Sequence, residues 1–196
     1  PINPMAFGFD PGLKPYKQDL DRAKKLLAEA GYPNGIDVRF RTGLEIVEPG
    51  VKQTNEAIVA DLAKVGIRTQ QNYMGEVGPY VNQVKDGKAG PMFNWSWGYY
   101  SVFDADAILF DVLHCGEAYS YYCNKELDAL TDAGRSTLDQ KKRAEIYVKA
   151  QKILFEDAAY LFKWGLRGVW GISNRVNYEA PRDEIDRMFL VTPRKK

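Results

Sequence analysis

The chain has 196 residues, 45% hydrophobic and 27% charged, with 27 basic and 26 acidic residues and a net charge of +1. That length suits one large or two small domains with a sizeable core, so folding needs neither metals nor many disulfides. Charges of both signs are interspersed and no basic stripe favours nucleic acid; no run of 18 apolar residues spans a membrane.

Residues 1–18 hold four prolines and two glycines and read as an extended connector from a preceding part of the protein. The chain starts at Pro1, within this segment. That is expected of a piece of a longer protein, whose signal peptide would lie in the part not included. Leu20, Ala23, Leu26, Leu27 and Ala30 then share one face at helical spacing. Asp19 is the candidate N-cap and Gly31 the stop. Pro33-Asn34-Gly35 turns the chain, and Ile36, Val38 and Phe40 alternate with charged residues as a half-buried strand.

The unit repeats. Val51, Thr54, Ile58, Leu62 and Val65 predict a second helix stopped by Gly66, and Ile67 to Tyr73 the next strand. A third round predicts a helix over Val77, Tyr80, Val81 and Val84, then a strand from Met92 to Trp97. Such alternation implies an α/β fold built of βαβ units, with a mixed, partly parallel sheet flanked by helices. Ligands of such sheets sit outside the carboxyl ends of strands. Further helices are predicted over 103–113, 124–135 and 139–157, and two strands over 160–164 and 168–172. The last 20 residues or so have weak periodicity.

The stretch from Trp95 to Cys123 stands apart. It joins an aromatic strand end (Trp97, Tyr99, Tyr100) to a turn carrying Asp104 and Asp106 and to a short loop between Cys115 and Cys123. Aromatic faces and one carboxylate suit capture of a small solute bearing a positive group. At the start of a helix Asp also serves as an N-cap. The residues alone therefore allow one carboxylate to cap and the other to face a cleft. Cys115 and Cys123 lie eight positions apart, so the Gly- and Tyr-containing loop can close on a disulfide, or the two can remain free thiols. Their spacing is not that of a thioredoxin motif. Together with the single histidine, His114, they do not make a tetrahedral zinc site. No nucleophile elbow, phosphate loop, dinucleotide fingerprint or zincin motif occurs. No catalytic residue, metal site or cofactor is predicted, and the chain is read as a binder rather than an enzyme.

These residues resemble the C-terminal lobe of the extracellular solute-binding proteins of bacterial ABC importers, family five, the dipeptide- and oligopeptide-binding class. The resemblance rests on DLDRAKKLLAEAGYPNG from Asp19 to Gly35, Ala60 to Ile67, Trp97-Gly98 followed by an acidic turn, Asn124 to Asp128, and Asp139 with Arg143, Ala150 and Gln151. It implies a periplasmic-binding-protein-like lobe over 19–172, with 173–196 returning toward an N-terminal lobe of the same protein. It implies closure on a peptide or peptide-like ligand, delivery to an ABC transporter permease, and a periplasmic or extracytoplasmic location. It implies that Asp104 holds a ligand ammonium beside Trp97 and Tyr99, with Tyr100 and Asp106 also lining the site. In similar positions, some relatives carry a disulfide where Cys115 and Cys123 stand. The family usually has Asp-Pro where this chain has Asp104-Ala105. Two other classes compete: a ligand-sensing domain of a regulatory protein with the same fold, and a carboxylate-dependent hydrolase.

Overall fold

The computed structural model describes residues 2–43, 48–98, 102–183 and 185–194. The chain divides into two compact units, one of residues 14–96 and one of residues 1–13 with 97–196. Among the described residues no helix is long and apolar enough to cross a membrane.

The 14–96 unit carries the repeating pattern. Helix α1 spans Leu20–Glu29, and the Asp19 side chain accepts the Arg22 N–H at 2.9 Å. Its carboxylate thereby satisfies one of the amide donors that a helix start leaves over. Gly31, in the left-handed region, closes the other end. Strand β1 (Ile36–Thr42) follows at Gly35, where a Cβ would stand 2.1 Å from the Gly66 carbonyl oxygen. Only glycine lets the two turns approach so that Ile36 N–H can reach that same oxygen at 3.0 Å.

Helix α2 (Val51–Ala63) leads to β2 (Ile67–Tyr73), and α3 (Val77–Lys85) leads to β3 (Met92–Phe93). The strand order is β2-β1-β3, with every pairing parallel. The β1–β2 ladder runs from Ile36↔Ile67 to Thr42↔Tyr73, over the two strands that the sequence predicts. The third strand is shorter than its expected run to Trp97. Its ladder covers Phe40↔Met92 and Arg41↔Phe93, and one further bond joins Asn94 N–H to Arg41 O at 2.9 Å. Beyond it Asn94 turns to side-chain work. Its carbonyl accepts the buried Tyr80 hydroxyl and its amide reaches Asn55 Oδ1 at 3.4 Å.

The other unit has a core of Ile2, Ala6, Ala105, Ile108, Leu109, Val112, Leu113, Leu127, Tyr147, Ala150 and Leu154. Helices α5 (Lys125–Ser136) and α6 (Gln140–Glu156) supply much of it. Asn124 caps the first through the Glu126 and Leu127 amides; Asp139 caps the second through those of Lys141 and Lys142. Within residues 1–18, Ile2 and Ala6 are buried in this core. Phe7 pairs with the turn before α4 (Asp106–Leu109): its N–H donates to Phe103 O at 2.8 Å, and Ala105 N–H donates to Phe7 O at 2.9 Å. The helix predicted over 103–113 contracts to α4, and irregular turns carry the chain on to Cys115.

The strands predicted over 160–164 and 168–172 do not form in this chain. Alternating apolar residues fit a sheet surface, but a strand exists only where a neighbour takes its backbone groups. Among the described residues none pairs with 164–172. The tail instead forms a small antiparallel pair, β4 (Val176–Asn177) with β5 (Thr192–Pro193).

Candidate binding site

Asp104 sits in the turn before α4 and is tied on three sides. Arg143 of α6 donates from Nη1 to Oδ2 at 2.5 Å and from Nη2 to Oδ1 at 2.9 Å, and Asp106 N–H donates to Oδ1 at 3.0 Å. This two-pronged, charge-assisted pairing is the strong form of an ion pair. A carboxylate has about four acceptor positions, so Asp104 retains capacity chiefly on Oδ2. Its charge is largely answered from within the protein.

Arg143 is itself heavily engaged. Its Nε donates to Gly134 O at 2.9 Å and its Nη2 to the Tyr147 hydroxyl at 2.8 Å. Its guanidinium lies 5.0 Å from the Phe7 ring centroid and 4.8 Å from that of Tyr147. The paired carboxylate holds the Arg143 pKa above its ordinary value. Burial pushes the fully buried Tyr147 hydroxyl up to about 12, helped by the nearby charge of Asp106. Two glycines make room for the Tyr147 ring. A Cβ on Gly134 would stand 2.4 Å from Cε1, and one on Gly8 2.7 Å from Cδ2.

Asp106 lies at the other end of the same turn, where Arg135 Nε stands 3.6 Å from Oδ1. Burial raises its carboxyl pKa against the pull of that cation. Arg135 in turn lies over Phe110, with its guanidinium carbon 3.7 Å from the ring centroid. The acidic turn is thus matched by two arginines, one from each long helix.

Trp97 is half-buried; it packs against the core cluster and meets the Tyr119 ring in an edge-to-face arrangement, with centroids 4.8 Å apart. Tyr99 and Tyr100 lie outside the described residues. Cys115 and Cys123 are joined in a disulfide. Both sulfurs approach Asp128, but sulfurs spent in a disulfide are not thiolate ligands. Two surface depressions lie elsewhere, one at the turns 33–35 and 64–66, another along α6.

Arg143, Tyr147, Arg135 and Tyr119 were not among the residues that sequence reasoning placed at the site. Arg143 follows Asp104 by 39 positions. Arg143 is among the residues that carry the family resemblance, and its spacing to Tyr147 puts both on one face of α6.

Residues 1–120 match the family model described as bacterial extracellular solute-binding proteins, family 5 Middle. The chain is 30% identical to the dipeptide-binding protein of Escherichia coli K12 over 201 aligned positions, covering 98% of this chain and 35% of that protein. It is 30% identical to heme-binding protein A of Haemophilus influenzae, covering 82% of this chain and 30% of that one. Among solved structures it resembles the periplasmic binding protein DppA from Helicobacter pylori in complex with the peptide STSA. The TM-score is 0.67 at 30% identity, over 82% of this chain and 32% of that one. The chain therefore spans about a third of the length of these relatives. It belongs to family 5 of the bacterial extracellular solute-binding proteins.

Proposed function

We propose that this chain is part of an extracytoplasmic binding protein that captures a peptide or peptide-like solute and hands it, chemically unchanged, to an ABC transporter permease. The observation that carries the reading is the family match over residues 1–120, joined by relatives named for dipeptide and heme binding. In this proposal 19–172 is the bulk of one lobe and 173–196 returns toward the N-terminal lobe. The ligand is gripped between the two lobes, so that binding favours the closed state.

Trp97, Tyr99 and Tyr100 supply the ring surfaces of the site. Asp104, with acceptor capacity remaining on Oδ2, and Asp106 supply the negative side. Because Arg143 and Arg135 answer both charges, a ligand ammonium gains a hydrogen bond here more than a net ion pair. That favours neutral or zwitterionic solutes, such as peptides, over strongly cationic ones.

Calorimetry of the full-length protein with a simple dipeptide tests this. Trp97→Ala and Asp104→Asn are each expected to weaken binding about tenfold, the size of a well-placed aromatic contact or charge-assisted bond. Unchanged affinity in both variants removes this turn from the site; turnover of the dipeptide overturns the binding-only reading.

A further inference from the structure

The loop from Cys115 to Cys123 is fastened at both feet. Its disulfide closes the base, and Cys115 N–H donates to Asp128 Oδ1 of α5 at 2.9 Å. Asn124, the next residue after Cys123, is the cap of α5. Inside the loop Gly116 adopts a left-handed conformation, and Ser120 Oγ donates to Tyr122 O at 2.7 Å. Tyr121 N–H donates to the Tyr160 hydroxyl at 3.3 Å, and the Tyr122 hydroxyl bonds Asp157 at the end of α6. The loop is therefore anchored to α5, to the end of α6 and to the segment after it.

Tyr119 is the loop residue that reaches across to Trp97. Their edge-to-face geometry, 64° between planes, is one that aromatic quadrupoles favour. Trp97 also packs against the core cluster. Trp97 lies on an irregular segment past the end of β3. We infer that Tyr119 is a positioning residue: the disulfide-closed loop holds its ring against Trp97 and so fixes the aromatic wall, and opening Cys115–Cys123 releases that wall. The relevance to ligand binding rests on the function proposed above; the mechanical claim does not.

The test uses the full-length protein and the near-ultraviolet circular dichroism of Trp97, taken as the difference from Trp97→Phe. Tyr119→Ala is expected to lose most of that band, and Tyr119→Phe, which keeps the ring, to restore it. Treatment with a soluble dithiol passes two electrons and two protons to the S–S bond, giving two thiols and the cyclic disulfide of the reagent. It is expected to lose the same band while far-ultraviolet dichroism stays native. A Trp97 band unmoved by Tyr119→Ala overturns the positioning role. A band intact after reduction, with both thiols titrated, overturns the link to the disulfide. Dipeptide calorimetry separates the two layers: if Trp97→Ala binds like wild type while the spectra behave as stated, the proposed site fails and the brace stands.

Discussion

Replacing Asp104 with alanine strips Arg143 of its carboxylate partner while leaving it in a poorly solvated place. The Arg143 and Asp104 side chains are 16% and 21% exposed. Removing one member of a fully buried ion pair costs about 3–5 kcal/mol, because the survivor keeps its desolvation without its partner. Two features reduce that here. Some water reaches both groups, and Arg143 keeps its bonds to Gly134 O and the Tyr147 hydroxyl. The loss of the Asp106 amide's acceptor acts in the other direction. The balance is a destabilisation of about 2–3 kcal/mol, in line with hydrogen bonds to charged groups. Urea unfolding of the full-length protein reads this directly, and a double-mutant cycle with Arg143→Met isolates the pair. Asp104→Ala within about 0.5 kcal/mol of wild type would be ordinary surface behaviour and would refute the claim that this carboxylate pins the turn.

Gly134→Ala offers a sharp contrast of two effects. Alanine is favoured over glycine inside a helix by about 1 kcal/mol, but its Cβ would meet the Tyr147 ring at 2.4 Å. Overpacking, typically about 1–3 kcal/mol, is expected to win; a variant as stable as wild type in urea says the ring can move aside. The raised pKa of Tyr147 ties stability to alkaline pH. An unfolded tyrosine ionises near pH 10 and the folded one at about 12. The stabilisation is therefore fully present below pH 10 and is lost as pH rises through about 12. Tyr122 is likewise pushed up to about 12, so tyrosinate absorbance should show a late-ionising phase that Tyr147→Phe reduces by one group; an unchanged titration counts against its burial. Finally, Val169 is 94% exposed and Trp164 58% exposed on segments with the strand pattern. Amide exchange over 168–172 is expected to be slow in the full-length protein and fast in the 196-residue chain; equal rates would mean no sheet partner lies outside the chain.

What could be read directly from the residues was whatever local chemistry decides. Asp19, Asn124 and Asp139 announce their helices because a short polar side chain satisfies amides two or three residues on. β1 and β2 followed from strict alternation, and the β1–β2 register begins at the Gly35–Gly66 approach. The errors fall where a distant partner decides. The β3 ladder ends at Asn94, whose N–H still bonds Arg41 O but whose carbonyl accepts the Tyr80 hydroxyl from another element. Among the described residues, the 160–172 segment has no neighbouring strand. Trp97 and Asp104 were visible as candidates. Their partners Tyr119 and Arg143 were not, since nothing in the spacing tells which ring or cation the fold will bring to them.

The central claim is that this protein grips a small organic solute and leaves it unaltered. Native mass spectrometry of the full-length protein, purified without denaturation and then offered a mixture of dipeptides, addresses it most directly. One non-covalently held peptide per protein is expected, released on denaturation with its mass unchanged. A protein that retains no peptide, or one that releases its fragments, would contradict it.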